Sequence, residues 1–172
     1  SDAKGLLNAA IEDPNPYLFF EHKALYRSQK ENIYDDYYTT EVGKAKIVCN
    51  GDDLTIITYG MGVHWAKEAL NKISNHSVEV VDLRTLQPWD KETVKKSVCK
   101  TNKVFIIHED CISGGIGAEI SAWINENLFE FLDAPVTREG GLDTPVPFRK
   151  ELEDNFMPIS RIGAKIRKLL NY

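Results

Sequence analysis

The sequence has little of what marks a secreted, zinc-binding or membrane protein. Its three cysteines are far apart and odd in number, with no CxxC pair, which is typical of a reduced, cytoplasmic protein rather than of a disulfide framework. The four histidines also stand apart, so a structural zinc site is not expected. No apolar run approaches the roughly 18 residues that a membrane span requires, so no membrane partner is expected.

An excess of positive charge is also absent. The net charge is −5 and the isoelectric point is near 5.4, which argues against nucleic acid as a partner. No phosphate-binding P-loop and no G-x-S-x-G motif is present, so these two types of active site are excluded. The 172 residues, 42% hydrophobic and 27% charged, are enough for one globular domain and an appendage.

Residues 43–172 alternate between strand and helix patterns. Strands are predicted at 45–50, 54–60, 78–83, 103–109 and 135–139, and helices at 62–75, 91–100, 113–131 and 160–170. Asp90 is a predicted N-cap. The alternation indicates an α/β domain with a mostly parallel sheet covered on both faces. The turn at 50–53 by itself predicts a hairpin between the first two strands.

The first 42 residues follow a different pattern. A helix is predicted at 2–12, with one apolar face formed by Leu6, Leu7, Ala10 and Ile11. The segment 17–21 is predicted to be a short buried strand, and residues 22–42 an extended linker. One helix and one strand cannot form a domain alone. We therefore interpret residues 1–21 as the remnant of a preceding domain.

Three segments follow predicted strands, where open α/β sheets bind ligands: residues 59–62, residues 84–89, and His108-Glu109-Asp110 with the glycines at 114–117. The third segment has the residue types for anion binding or proton transfer. The alternative is that its glycines allow close packing at a strand-to-helix turn. A stand-alone α/β module that binds an anion or nucleotide is therefore one hypothesis for the function. No catalytic or cofactor-binding residue is assigned.

Five segments carry a resemblance to a known family: NPYLFFEHKALYRS at 15–28, VVDLRTLQPWD at 80–90, HEDCISGGIGAEI at 108–120, FLDAPVTREGGLDTPVPF at 131–148, and the final LLNY. The chain resembles the beta subunit of thiamine diphosphate-dependent 2-oxoacid dehydrogenases, closest to the branched-chain (2-oxoisovalerate) type. A transketolase-type enzyme that shares the C-terminal fold is the alternative.

The resemblance implies an architecture. Residues 1–21 would be the C-terminal remnant of a pyrimidine-binding domain, 22–42 a linker, and 43–172 a transketolase C-terminal domain. That domain is a three-layer α/β/α open sheet of about five strands, one of them antiparallel. It places another strand between the two partners of the predicted hairpin.

The resemblance also implies a reaction and a set of partners. The intact enzyme would oxidatively decarboxylate branched-chain 2-oxo acids on thiamine diphosphate with magnesium, and would acylate lipoyl groups. The cofactor-binding segments of the family lie elsewhere, so this chain alone is expected to be inactive and to serve assembly and docking. The implied partners are an alpha subunit or fused alpha part, a second beta subunit that forms a homodimer, and the subunit-binding domain of a lipoyl acyltransferase.

Two candidate sites come from the resemblance. Potassium would be bound through Ala10, Asp13 and Asn15, where a helix ends with unpaired carbonyl groups; a plain proline-terminated helix is the alternative. Asp133 and the terminal carboxylate of Tyr172 would meet basic residues of the subunit-binding domain. The alternatives there are a turn aspartate that caps its own backbone and a frayed chain end.

Overall fold

The computed structural model describes all 172 residues. The five strands are β1 (Lys46–Cys49), β2 (Leu54–Thr58), β3 (Val78–Asp82), β4 (Val104–Cys111) and β5 (Thr137–Gly141). The seven α-helices are α1 (Asp2–Glu12), α2 (Leu25–Ser28), α3 (Met61–Leu70), α4 (Lys91–Thr101), α5 (Ile116–Leu128), α6 (Lys150–Phe156) and α7 (Ile159–Leu170). A short 3-10 turn, Phe129–Phe131, follows α5. None of the helices is long and apolar enough to cross a bilayer.

The five strands form one sheet in the order β1-β3-β2-β4-β5. All neighbouring strands are parallel except β1, which pairs with β3 in the antiparallel sense. The predicted fold class is confirmed. The hairpin expected from the turn at 50–53 is wrong, and β3 lies between β1 and β2, as the resemblance implies. The turn instead crosses the start of β3, because the backbone N–H groups of Asp52 and Asp53 both donate to the Ser77 carbonyl. Gly51 lies so close to Val78 there that a Cβ atom would clash with the backbone.

The sheet is buried on both faces, which explains its nearly continuous apolar strands. On one face Ile56 and Phe105 pack against α3 and α7, while on the other Ile57 and Ile106 pack against α4 and α5. Each such side chain, fully buried, contributes about 1.5–3 kcal/mol to the free energy of folding. Helices on both faces make the fold a three-layer α/β/α sandwich.

Helix α4 begins and ends at identifiable caps. The Asp90 carboxylate accepts a 3.0 Å hydrogen bond from the backbone N–H of Thr93, so the predicted N-cap is confirmed. At the other end Asn102 takes the left-handed conformation with φ 59°, and its N–H donates to the Val98 carbonyl. Left-handed residues commonly end helices, and asparagine tolerates this conformation better than most residues. The chain therefore turns sharply from α4 into β4.

The N-terminal segment differs from the prediction in two places. Helix α1 is confirmed, but residues 17–21 form no strand, and the Leu18 and Phe20 side chains are each 88% exposed. A lone strand has no neighbour to complete its backbone hydrogen bonds, so the apolar run stays irregular. The predicted linker contains the short helix α2. Helix α6 was also not predicted, since its sequence is mostly polar.

Helix α1 packs against the linker rather than against the sheet core. The Lys4 ammonium donates to the carbonyl groups of Tyr34, Asp35 and Asp36 at 2.6, 3.2 and 3.0 Å. The backbone N–H of Thr40 donates to the Gly5 carbonyl at 2.9 Å. These contacts fold the first 42 residues onto themselves with few buried side chains.

Candidate functional site

His108 lies within β4, three residues before its end, and its side chain is fully buried. Its Nδ1 is 3.0 Å from the Asp110 carbonyl oxygen, while Nε2 has no hydrogen-bond partner. Glycines surround the ring so closely that a Cβ atom at Gly115, Gly117 or Gly140 would lie 2.5–2.8 Å from it. The glycine-rich turn therefore accommodates the imidazole, and no space remains beside the ring for an anion.

The surroundings of His108 favour the neutral imidazole. Burial lowers its pKa below the ordinary value of 6.5, and this effect exceeds the opposing effects of the Asp110 carbonyl and the Asp110 and Glu139 carboxylates. The Nδ1–H consequently donates to the Asp110 carbonyl. An imidazole that is neutral and inaccessible to solvent serves packing here rather than proton transfer with a substrate.

The start of the glycine-rich turn is occupied by a carboxylate of the chain itself. Asp143 accepts hydrogen bonds from the backbone N–H of Ser113 at 2.9 Å and from its hydroxyl at 2.6 Å. These two bonds hold the pKa of Asp143 below its usual range. The N–H and hydroxyl of Ser113 are therefore not free for a bound anion, and together with the enclosed imidazole this favours the packing interpretation of this segment.

A contact between distant residues joins the N-terminal segment to the strand ends. His22 Nε2 lies 2.9 Å from a carboxylate oxygen of Glu109, a residue 87 positions further along the chain. Beside this pair, burial raises the pKa of Tyr59 to about 12, and the carboxylates of Asp110 and Glu109 add to the rise. The sequence contains no signal for this contact, because nothing in the linker indicates where it lies on the sheet.

The three residues predicted to bind potassium lie at the end of α1. The Asp13 carboxylate accepts hydrogen bonds from the Asn15 N–H at 2.9 Å, the Asn15 side-chain amide at 2.8 Å and the Tyr17 hydroxyl at 3.0 Å. The Ala10 carbonyl lacks the usual helical donor, since residue 14 is a proline. Asp13 and Asn15 thus contact each other, and three donors already surround the Asp13 carboxylate.

The two segments that carry the predicted docking residues both contact the turn between α4 and β4. The backbone N–H of Asp133 donates to the Asn102 carbonyl at 2.8 Å. The Lys103 ammonium lies 3.4 Å from the Leu170 carbonyl near the end of α7, and Tyr172 follows with its side chain 66% exposed. The structure therefore brings residue 133 and the last turn of α7 to the same end of the sheet, where β4 begins.

The Asp133 side chain is exposed and forms no hydrogen bond within the chain. It does not cap its own backbone, so that alternative is wrong. Glu130, in the 3-10 turn three residues before Asp133, is also exposed. Exposed carboxylates without internal partners are available to a basic surface, and desolvated charge pairs give an interface specificity.

The sheet order and its single antiparallel edge strand are shared with a known family. The family model described as "Transketolase, C-terminal domain" matches residues 43–161. The chain belongs to this family. A split-gene transketolase, solved as an inactive beta4 tetramer, superimposes with a TM-score of 0.66 at 24% identity, over 82% of this chain and 46% of that one. At that identity the superposition shows a shared fold and no more.

Similarity extends beyond the transketolase C-terminal domain. The chain is 42% identical over 99% of its length to the 2-oxoisovalerate dehydrogenase subunit beta of Bacillus subtilis, and covers 54% of that protein. It is 46% identical over 88% of its length to the pyruvate dehydrogenase E1 component subunit beta of Porphyra purpurea, and covers 46% of it. The resemblance to 2-oxoacid dehydrogenase beta subunits is confirmed. The chain spans about half the length of the curated relatives it matches.

Proposed function

We propose that the chain is the C-terminal part of the beta subunit of a 2-oxoacid dehydrogenase that acts on branched-chain 2-oxo acids. The 42% identity with the Bacillus subtilis 2-oxoisovalerate dehydrogenase subunit, over 99% of the chain, carries this proposal. The intact enzyme oxidatively decarboxylates its substrate and transfers the acyl group to a lipoyl group. Pyruvate is the competing substrate, favoured by the 46% identity with the Porphyra purpurea subunit.

Thiamine diphosphate supplies the chemistry of decarboxylation in the proposed enzyme, with magnesium bound to its diphosphate. The residues described here do not fit that pair of groups. No three His, Cys, Asp or Glu side chains lie together as metal ligands. The Asp143 carboxylate already accepts a hydrogen bond from the backbone N–H of Ser113. We therefore assign the cofactor contacts to the alpha partner and to other parts of the beta subunit. These 172 residues alone are expected to be inactive, and micromolar binding of thiamine diphosphate with magnesium in calorimetry would contradict this.

The function we assign to these residues is assembly and partner docking. The partners are the alpha subunit or a fused alpha part, a second beta subunit, and the subunit-binding domain of a lipoyl acyltransferase. The 88% exposure of Leu18 and Phe20 supports a second chain in the N-terminal region, since monomers rarely expose neighbouring large apolar groups. A monomer mass by light scattering at micromolar concentration would count against the homodimer.

The unpaired cysteines support a cytoplasmic enzyme.

The docking surface that we propose contains Asp133 and Tyr172. Asp133 presents a carboxylate without an internal partner, and Tyr172 is exposed two residues after Leu170, whose carbonyl contacts Lys103 in the α4–β4 turn. A small basic domain complements such a surface, because ion pairs that lose their water on binding restrict which partner is accepted. The same charges accelerate association at low salt.

The test replaces Asp133 with Asn in the full-length subunit assembled with its alpha partner. This substitution keeps the side-chain volume and removes the charge. We expect the affinity for the isolated subunit-binding domain to fall roughly 30-fold, with a weaker dependence on salt. Asp154→Asn is the matched control, since Asp154 is exposed on α6 and forms no side-chain contact. Equal affinities of both variants and the unmodified subunit would place the docking surface elsewhere.

Potassium at the end of α1 belongs to the same proposal. The unpaired carbonyl of Ala10 and the negative end of the helix dipole support it. Asp13 already accepts three hydrogen bonds, and a cation requires about six oxygen ligands. We therefore expect weak binding with these residues alone.

A further inference from the structure

The α4–β4 turn makes three hydrogen bonds with the two segments that carry the proposed docking residues. The Asn102 carbonyl accepts the N–H of Asp133 at 2.8 Å, and the Asn102 side-chain amide donates to the Phe131 carbonyl at 2.6 Å. The next residue, Lys103, donates to the carbonyl of Leu170 at 3.4 Å. One dipeptide therefore contacts both the loop before β5 and the end of α7.

Asn102 has a left-handed backbone conformation that asparagine tolerates better than most residues. Its φ is 59°, a region that glycine occupies most easily. Glycine would end α4 equally well but has no amide to reach the Phe131 carbonyl. The side chain thus adds a second hydrogen bond to the one made by the backbone, and the two bonds lie on either side of Leu132. Together they fix both the position and the direction of the loop.

We propose that Asn102 is a positioning residue for docking: it holds the Phe131–Asp133 segment so that the Asp133 carboxylate is presented to a basic partner, which Asn102 itself does not touch. The inference rests on the docking function proposed above. No group within the chain forms a hydrogen bond with the Asp133 carboxylate, so the backbone of residue 133 alone determines where this carboxylate is presented. A charge that is already placed loses less conformational freedom on binding, and the complex is correspondingly tighter.

The experiment is a double-mutant cycle in the full-length subunit assembled with its alpha partner. The variants are Asn102→Gly, Asp133→Asn and the double variant, and the probe is the isolated subunit-binding domain. Asn102→Gly keeps the left-handed backbone and deletes only the amide. We expect it to weaken affinity about fivefold when Asp133 is present, and to have no effect when residue 133 is asparagine.

The control is Asn75→Gly, the same substitution at another left-handed residue with φ 70°. The Asn75 side chain forms no hydrogen bond, so this variant reports the effect of glycine on the backbone alone and should bind with unchanged affinity. Hydrogen exchange at the amides of Leu132 and Asp133 is a second measurement. It should be faster in Asn102→Gly than in the control.

The possible outcomes separate this inference from the docking function. If Asp133→Asn weakens binding while Asn102→Gly does not, Asn102 has no positioning role and the docking proposal stands. If Asn102→Gly weakens binding equally with either residue at 133, its effect is a general loss of structure and the inference is wrong. If Asp133→Asn leaves affinity unchanged, both proposals are overturned.

Discussion

Residues 1–42 and residues 43–172 are held by different kinds of interaction. Gly5 is the one buried residue in the first segment, whereas every other buried residue lies in the second. The sheet domain has two apolar clusters, one on each face. The N-terminal segment is held by hydrogen bonds and ion pairs at exposed atoms, including those of Lys4.

This difference predicts a difference in stability. Apolar burial contributes in proportion to the area removed from water, while exposed ion pairs contribute about 0–1 kcal/mol each. The N-terminal segment should therefore detach without unfolding the sheet domain. Its aromatic side chains would then be available to a partner chain. Substitutions in the two segments test this difference in stability.

The largest effect is expected in the sheet core. Phe105→Ala removes a side chain that is 0% exposed and should lower the free energy of unfolding by about 3–5 kcal/mol. The matched change Phe20→Ala, in the N-terminal segment, should alter it by less than about 0.5 kcal/mol. Urea denaturation of both variants measures the two values. A large loss in Phe20→Ala would mean that the segment is part of the cooperative core.

Acid should weaken the sheet domain through His108. The unfolded chain takes up a proton there near the ordinary pKa of 6.5, whereas the folded chain does so only at lower pH. Between these values the unfolded state holds more protons, so the free energy of unfolding falls as the pH falls. The slope from this group is at most about 1.4 kcal/mol per pH unit. His108→Asn keeps a donor for the Asp110 carbonyl and should flatten the dependence of the free energy of unfolding on pH. Parallel curves for the variant and the unmodified protein would refute this prediction.

A smaller effect is expected at Lys4. Lys4→Met removes three hydrogen bonds to the linker but should change the global free energy of unfolding by less than about 1 kcal/mol. Its main consequence should be faster hydrogen exchange in and just after residues 34–36, which Lys4 holds against α1. Lys23→Met is the control, because Lys23 is exposed in the same segment and its side chain forms no hydrogen bond or ion pair. Unchanged exchange in Lys4→Met would show that other contacts hold the linker.

Potassium should have the smallest effect. We expect it to raise the melting temperature by less than about 2 °C relative to tetramethylammonium at equal ionic strength, since a weak site stabilises only by mass action. Asp13→Ala should abolish the difference, while Asp35→Ala, in the same segment, should not. An identical response to both cations in the unmodified chain would argue against the site.

The elements of the sheet domain were predictable because local patterns and tertiary burial agree there. The run Val104–Ile107 is apolar on both faces of its strand, and only a strand covered on both sides suits such a run. In contrast, the apolar run at 17–21 resembles a buried strand but has no neighbour to pair with. Helix α6 escaped prediction because a mostly polar sequence carries no clear period.

The candidate sites also include residues that the sequence indicated and contacts that it did not. The resemblance singled out Asp133 and Tyr172, but nothing local indicated that Asn102 holds one of their segments or that His22 reaches Glu109. Both contacts join residues far apart in sequence, and hydrogen bonds of this kind form only after the sheet has placed their partners.

By itself the sequence determined the fold class, most element positions and the membership in a family, because periodicity and residue order are local properties. Only the tertiary structure decided that glycines enclose His108, that His22 reaches Glu109, and that one turn joins the loop at 131–133 to the end of α7. Each of these features requires segments far apart in sequence to lie close in space. Their spatial separation is set by how the helices cover the two apolar faces of the sheet.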